Sequence, residues 1–246
     1  MKAGIGFWNI LKKDIKNYYL KPPNISWGMI FPLSWTLMQL LRAPQGQAID
    51  VKELLPGLMG MSILFGATSM LAVTITFERR GRSFERLLLA PISLSTMVLA
   101  KISGAILFGV IIAFVPVLLA ACWIDLSGIN WGMAFVSVVL MAVTSALLGL
   151  VIAVSAKEVF EAQTYSNFFR FPMLFLSGFF FPIERLPLHL QPISYCLPLT
   201  YGVDMLKNAV LHTGAINIWL DLAALIGFSV SLFYICRRNI KRKWIL

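Results

Sequence analysis

A chain of 246 residues that is 59% hydrophobic and only 13% charged, with a mean hydropathy of +0.80, carries about half the charge of an ordinary soluble domain. Its net charge of +10 would suit a nucleic-acid partner only in a protein that was not also mostly hydrocarbon. Composition therefore excludes a soluble domain and a nucleic-acid binder, and places the chain in a bilayer.

The first element covers residues 1–22 and contains GFWNILKKDIKNYYL, from Gly6 to Leu20. At 100° per residue Phe7, Trp8, Leu11, Ile15, Tyr18 and Tyr19 share one face and Lys12, Lys13 and Lys16 another. That pattern predicts an interfacial amphipathic helix with its lysines toward anionic lipid and water. Pro22 and Pro23 end it and turn the chain into the bilayer. No cleavable signal peptide is expected, because the first strongly apolar run begins near Ile25 and leads to Arg42 rather than a small-residue cleavage site. Crossing the hydrocarbon takes roughly 20 apolar residues in a helix, and six windows qualify: 25–41, 55–77, 97–123, 131–154, 163–181 and 216–236. Pro32, Pro116 and Pro172 fall inside windows, where kinks are tolerated if neighbours satisfy the backbone.

The links between windows differ in character. Residues 78–96 are dense in charge. Residues 182–211 are too apolar for a free loop, yet Pro182, Pro187, Pro192 and Pro198 rule out one continuous helix, so short helical pieces dipping into the outer leaflet are expected. Placing both termini on one side collects 17 of the 21 Lys and Arg residues there, which makes that side cytoplasmic. The fold class is an all-α polytopic membrane protein, one transmembrane domain over 1–246.

Within FERRGRSFERLLLAP, from Phe77 to Pro91, Gly81 can break the preceding helix and Ser83 can cap a new one, with Glu85 near its positive end. Phe84, Leu87 and Leu88 form a narrow apolar stripe. Pro91 stops the helix, and Ser95 can cap the next span. A short amphipathic helix at the cytoplasmic surface follows, whose stripe needs a partner and whose Glu78, Glu85 and arginines can fix register with it. Arginines serving only as positive-inside anchors remain the other reading of the same residues.

The block resembles the cytoplasmic coupling-helix segment of the ABC type-2 permease family, E-R-E-x-G-T-x-E-x-L-L-x-x-P. Glu78, Arg79, Gly81, Glu85, Leu87, Leu88 and Pro91 match in order, while Arg80 replaces the second acid and Arg82 stands at the usual Thr. A second stretch is similar to that family's S-G-x-x-F-P…L-P…P-L-T-Y hallmark through Ser177, Gly178, Phe181, Pro182, Leu186, Pro187, Leu190, Pro198, Leu199, Thr200 and Tyr201; Lys207 stands where an Arg is usual. The resemblance implies a non-catalytic half-transporter in the plasma (inner) membrane. Two copies would form a homodimer, with two ABC ATPase subunits docked beneath, each gripping Glu78, Arg79, Arg80, Gly81, Phe84, Glu85, Arg86, Leu87, Leu88 and Pro91. ATP and Mg would sit on the ATPase, since this chain has no G-x-x-x-x-G-K-[ST] loop.

Arg170 is the sharpest polar outlier of the fifth window, about 10 Å inside it. One reading has it lining the cytoplasmic entrance and contacting an anionic headgroup or phosphate; the other has it snorkelling or pairing with Glu158 or Glu161. Phe168, Phe175 and Phe179, with Phe169 and Phe180, give that window an aromatic surface suited to an amphipathic cargo or to packing between copies. The expected function is ATP-driven export of an amphipathic drug or lipid-like substrate. Lipid-linked oligosaccharide or polysaccharide is the alternative cargo. A secondary transporter finds no midplane acid, and an intramembrane hydrolase built on Ser177, Gly178 and His212 lacks a G-x-S-G motif. Cys122, Cys196, Cys236, His189 and His212 are too scattered for a metal site.

Overall fold

The computed structural model describes residues 2–20, 30, 32–35, 37–38, 51–122, 124–240 and 242, and their regular structure is helical throughout. In chain order the helices are α1 (Lys2–Asp14, widening into a π turn at Ile15–Tyr19), α2 (Val51–Arg80), α3 (Ser83–Leu88), α4 (Leu94–Ala113) and α5 (Val115–Ala120). After them come α6 (Trp131–Ser155), α7 (Val159–Leu176), a 3-10 turn (Ile183–Arg185), α8 (Gln191–Tyr195), α9 (Pro198–Leu211) and α10 (Ile218–Ile240).

Among the described residues four helical stretches are long and apolar enough to cross a membrane: Val51–Arg80, Leu94–Ala120, Trp131–Ser155 and Ile218–Ile240. They correspond to the second, third, fourth and sixth expected windows. The first window, 25–41, lies largely outside the described residues, although 30, 32–35 and 37–38 are helical. The fifth is a helix, but it runs from Val159 to Leu176 rather than over 163–181, and Glu161, Gln163, Asn167 and Arg170 dilute its hydropathy. It stops early because Ser177 caps its C-terminus and Gly178 follows with φ +74, a left-handed turn that glycine adopts without strain. The third window breaks at Phe114, since Pro116 has no N–H to continue the ladder. Ser93, not Ser95, caps α4, its hydroxyl accepting Thr96 N–H at 3.1 Å.

α2 is the central post, packing on α4, α6, α7 and α9. Small residues let the backbones approach, as is usual where water cannot drive helices together. A Cβ at Gly149 would overlap the Thr68 carbonyl oxygen, and one at Gly109 would meet Ala67 Cβ at 3.0 Å. Thr68 Oγ1 donates to Ser145 O at 3.2 Å across the same α2–α6 crossing. The two largest core clusters divide along α2. One joins Met70, Leu71 and Ile75 to Ile10, Tyr19, Phe84 and Ile240; the other joins Leu55, Met59 and Ile63 to Leu199, Val203 and Leu206.

α1 lies only in part as its periodicity predicts, with Phe7, Leu11, Ile15 and Tyr19 turned inward and Lys12 and Lys16 outside. Ile10, Leu11, Asp14 and Tyr19 face the protein, whereas Trp8 is 63% exposed and shares the outer side with Ile5, Lys12 and Lys16. Lys13 turns inward instead of toward lipid, because carboxylates wait there.

Candidate functional site

The charged block straddles the end of α2. The residue that breaks the helix is Arg82, with φ 54, rather than Gly81. Keeping Glu85, Leu87, Leu88 and Pro91 in the family register puts the pattern's glycine on Arg82 and its Thr on Ser83, and the left-handed backbone agrees. Ser83 is accordingly the first residue of α3 instead of its cap.

This turn sorts the block into two faces. On the inner face Glu78 is fully buried, and Phe84, at 3% exposure, belongs to the core cluster with Ile10 and Tyr19, against which Leu87 also packs. The stripe expected to need an outside partner therefore finds much of it in its own chain. Arg79 also turns in: its Nη1 donates to Ala153 O at 3.2 Å and Ala156 O at 3.1 Å, satisfying carbonyls at the end of α6. On the outer face Arg80, Gly81, Arg82, Arg86 and Pro91 are exposed, and Leu89 is 87% exposed. The side chains of Glu85 and Leu88 lie outside those described.

Beneath the block is an ion cluster that periodicity did not reveal. Lys101 of α4, 1% exposed, donates to Glu78 Oε2 at 2.5 Å and to Asp14 Oδ2 and Oδ1 at 2.8 and 3.1 Å. Lys13 donates to Glu78 Oε1 at 2.6 Å and lies 3.4 Å from Asp14. Two cations meet two anions, which is what makes burial of charge tolerable. Burial pushes the Asp14 carboxyl above its ordinary range although Lys101 pulls the other way. Burial works against the Lys13 ammonium, but hydrogen bonding to and attraction by Glu78, with Asp14, hold it above its usual value. The cluster fastens α1 and α4 to the last turn of α2.

On α7, Phe168 and Phe175 are 70% and 51% exposed. Phe179 instead packs against Gly57 and lies edge-on to Phe180 with ring centroids 4.3 Å apart. Arg170 is only 2% exposed and forms no ion pair among the described residues, so neither snorkelling nor pairing with Glu158 or Glu161 describes it. An apolar groove of about 480 Å³ opens between α6 and α7, lined by Val151, Ile152, Tyr165, Phe168 and Phe169 among others.

The second hallmark forms latches. Ser177 Oγ donates back to Met173 O, and Lys207 Nζ donates to Gly178 O at 2.6 Å. Thr200 Oγ1 donates to Ser194 O at 2.5 Å and Tyr201 OH to Tyr195 O at 2.7 Å. Pro182 precedes the 3-10 turn, the Pro187 carbonyl accepts Leu190 N–H at 2.8 Å, and Pro198 opens α9. Asp204, outside the hallmark, accepts Ala215 and Ile216 N–H at 2.9 and 3.0 Å and ties α9 to the approach of α10. Of these, Ser177, Gly178, Pro182, Thr200, Asp204 and Lys207 line a cavity of about 420 Å³.

Comparison with known proteins adds an independent line. The family described as ABC-2 type transporter matches residues 6–211. The chain is 24% identical over 223 residues to the inner membrane transport permease YadH of Escherichia coli K12, covering 91% of this chain and 87% of that protein. It is 25% identical over 197 residues to nodulation protein J of Sinorhizobium fredii, covering 78% of this chain and 74% of that one. With nodulation protein J of Bradyrhizobium diazoefficiens the identity is 33% over 179 residues, or 70% of this chain and 63% of that one.

Proposed function

Because this chain belongs to the ABC-2 type transporter family, we propose that it is the permease subunit of an ATP-binding cassette exporter, moving an amphipathic, lipid-like cargo out of the cytoplasm. Two copies form the pathway, with six spans each, once 25–41 and α7 join the four apolar stretches. Hydrolysis belongs to separate ATPase subunits that hold the outer face of α3. The relative named as an inner membrane transport permease supports the inner membrane as its place, and the gathering of 17 of the 21 Lys and Arg residues on one side supports cytoplasmic termini.

The observation that carries this reading is the division of the charged block into faces. α2 has 30 residues and at 1.5 Å per residue spans about 45 Å, against roughly 30 Å of hydrocarbon. Its last turn and α3 can therefore stand clear of the bilayer. The ion cluster and Phe84 brace that turn from within, while Arg80, Arg82, Arg86 and Leu89 point outward. A rigid mount with an exposed basic and apolar strip is what a partner needs in order to push on a helix. The groove lined by Val151, Ile152, Phe168 and Phe169 supports an apolar body on the cargo.

The test separates the two faces. Arg86→Glu combined with Leu89→Asp should insert in the membrane and melt like the wild type, but lose the ATPase that co-purifies with it. Phe84→Ala should keep the outer strip and lower stability by about 3–5 kcal/mol, the usual cost of emptying an aromatic core site. Equal recovery of ATPase with the wild type and the outer-face variant would remove the docking role.

A further inference from the structure

Among the described residues two cationic side chains are buried, and the chain treats them in opposite ways. Lys101 has two carboxylates in contact, at 2.5 and 2.8 Å. Arg170 has only neutral partners: its Nε donates to Ser166 O at 3.0 Å, its Nη2 donates to Asn167 Oδ1 at 2.8 Å, and its guanidinium carbon lies 4.5 Å from the Phe65 ring centroid. Two of its five N–H donors are thereby used. Ser166 and Asn167 sit one turn back on α7 itself, and the ring comes from α2. The acids nearest along α7 are too far away to help, because Glu158 and Glu161 lie about 13–18 Å down the helix at 1.5 Å per residue. Glu161 is also occupied, accepting Lys157 N–H at 2.9 Å.

Depth makes the omission costly. Phe65 is midway along α2, about 22 Å from Arg80 at 1.5 Å per residue, so the guanidinium over it lies near the middle of the hydrocarbon. Cations at that depth face a partner or a pathway rather than lipid, and the described residues, which give Lys101 two carboxylates, give Arg170 none. We infer that Arg170 is an anion-binding residue whose counter-ion is carried by the cargo: a phosphate, sulfate or carboxylate group on an apolar body. The inference rests on the exporter reading above and names the cargo's chemical class. The fork of guanidinium donors suits such a group in bidentate fashion. The apolar remainder has a surface on the same helix, where Phe168 and Phe169, 70% and 43% exposed, border the groove of about 480 Å³.

The experiment measures binding apart from transport. Full-length chain in a neutral maltoside detergent is melted with dodecyl phosphate, with dodecyltrimethylammonium of the same tail, and with inorganic phosphate. Dodecyl phosphate should raise the melting temperature of the wild type. Its apparent Kd should weaken on the order of tenfold or more in Arg170→Gln, the scale of a charge-assisted hydrogen bond, and should also weaken in Arg170→Lys, which keeps the charge and loses the fork. The response to dodecyltrimethylammonium should be the same in all three proteins. Identical responses to dodecyl phosphate in the wild type and both variants would overturn the site, and equal protection by inorganic phosphate would overturn the cargo assignment. Conversion of dimer to monomer by Arg170→Gln, with the dodecyl phosphate response intact, would give the counter-ion to a second copy and overturn it as well. A wild-type complex that hydrolyses ATP without exporting any amphiphile would instead defeat the exporter reading and leave the binding result standing.

Discussion

Replacing Lys101 by Met should destabilise the protein far more than its size change warrants. The ammonium lies 2.5 Å from Glu78 and 2.8 Å from Asp14, with side-chain exposures of 1% for Lys101, 0% for Glu78 and 1% for Asp14. Methionine fills nearly the same volume, so little is lost in packing. What changes is charge: two buried carboxylates would share only Lys13, whose side chain is 33% exposed. Removing one partner from a buried ion pair costs about 3–5 kcal/mol. For a chain of this size each kcal/mol shifts the midpoint by about 2–4 °C, so a fall of roughly 10 °C is expected. The seven tryptophans give a fluorescence readout of melting for purified chain in detergent near neutral pH. A companion variant, Lys101→Met with Asp14→Leu and Glu78→Leu, removes the stranded charges and should recover most of the loss, since well-packed apolar replacements of buried ion sets are often neutral. If the single variant melts within about 2 °C of the wild type, or the triple variant melts no higher than the single one, the cluster is not what holds α1 and α4 to α2.

Two further outcomes follow from contacts of other kinds. Gly149→Ala should cost roughly 3 kcal/mol or more, because the new Cβ meets the Thr68 backbone, which cannot yield, whereas Gly60→Ala meets only the terminal methyl of Met141 at 3.2 Å and Val203 Cγ2 at 3.3 Å and should stay within about 1 kcal/mol of neutral; comparable melting of the two variants would contradict this. Raising the pH through about 10–11 should lower the melting temperature. The Lys13 contribution is present below the unfolded lysine value and is lost as pH rises through its raised folded value. Burial, reinforced by acids of the cluster, holds the Tyr18 and Tyr19 phenols above 10.0, so the unfolded chain ionises first and gains. A Lys13→Gln variant that keeps the full alkaline slope would remove lysine from this account.

What could be read along the chain was whatever depends on neighbours in sequence. Long apolar runs announced the second, third, fourth and sixth windows, but nothing local separated Pro116, beside which the third breaks, from Pro172, which α7 carries within it. The spacing of Phe84, Leu87 and Leu88 announced α3. What could not be read was which face each helix turns to which neighbour. Lys101 is 87 residues from Asp14 and 23 from Glu78, and no local period links residues so far apart. Trp8 shows the same limit: packing took Ile10 and Leu11 and left Trp8 outside, while the π turn at Ile15–Tyr19 rephases the helix and buries Tyr19, which a count of 100° per residue puts beside Trp8.

The charged block is the sharpest case, because its composition was legible and its division was not. Counting 100° per residue from α2 into α3 assumes one continuous helix, and Arg82, at φ 54, resets the phase between them. A left-handed arginine costs about 1–2 kcal/mol relative to an ordinary helical one, so it persists only where both sides of the turn are held. Glu78 and Arg79 are held before it, by the ion cluster and by the carbonyls of α6, and Phe84 is held after it by the core. The residues that anchor the turn are thus the ones lost to a partner, and those left over, Arg80, Arg82, Arg86 and Leu89, are exposed because no inward contact remains for them at that phase. In a chain with only 11 acids against 21 Lys and Arg, committing Asp14 and Glu78 to one buried knot also leaves the outer strip predominantly basic. If the strip is the docking face proposed above, its attraction for an acidic or polar cleft on an ATPase is a by-product of how the knot is tied.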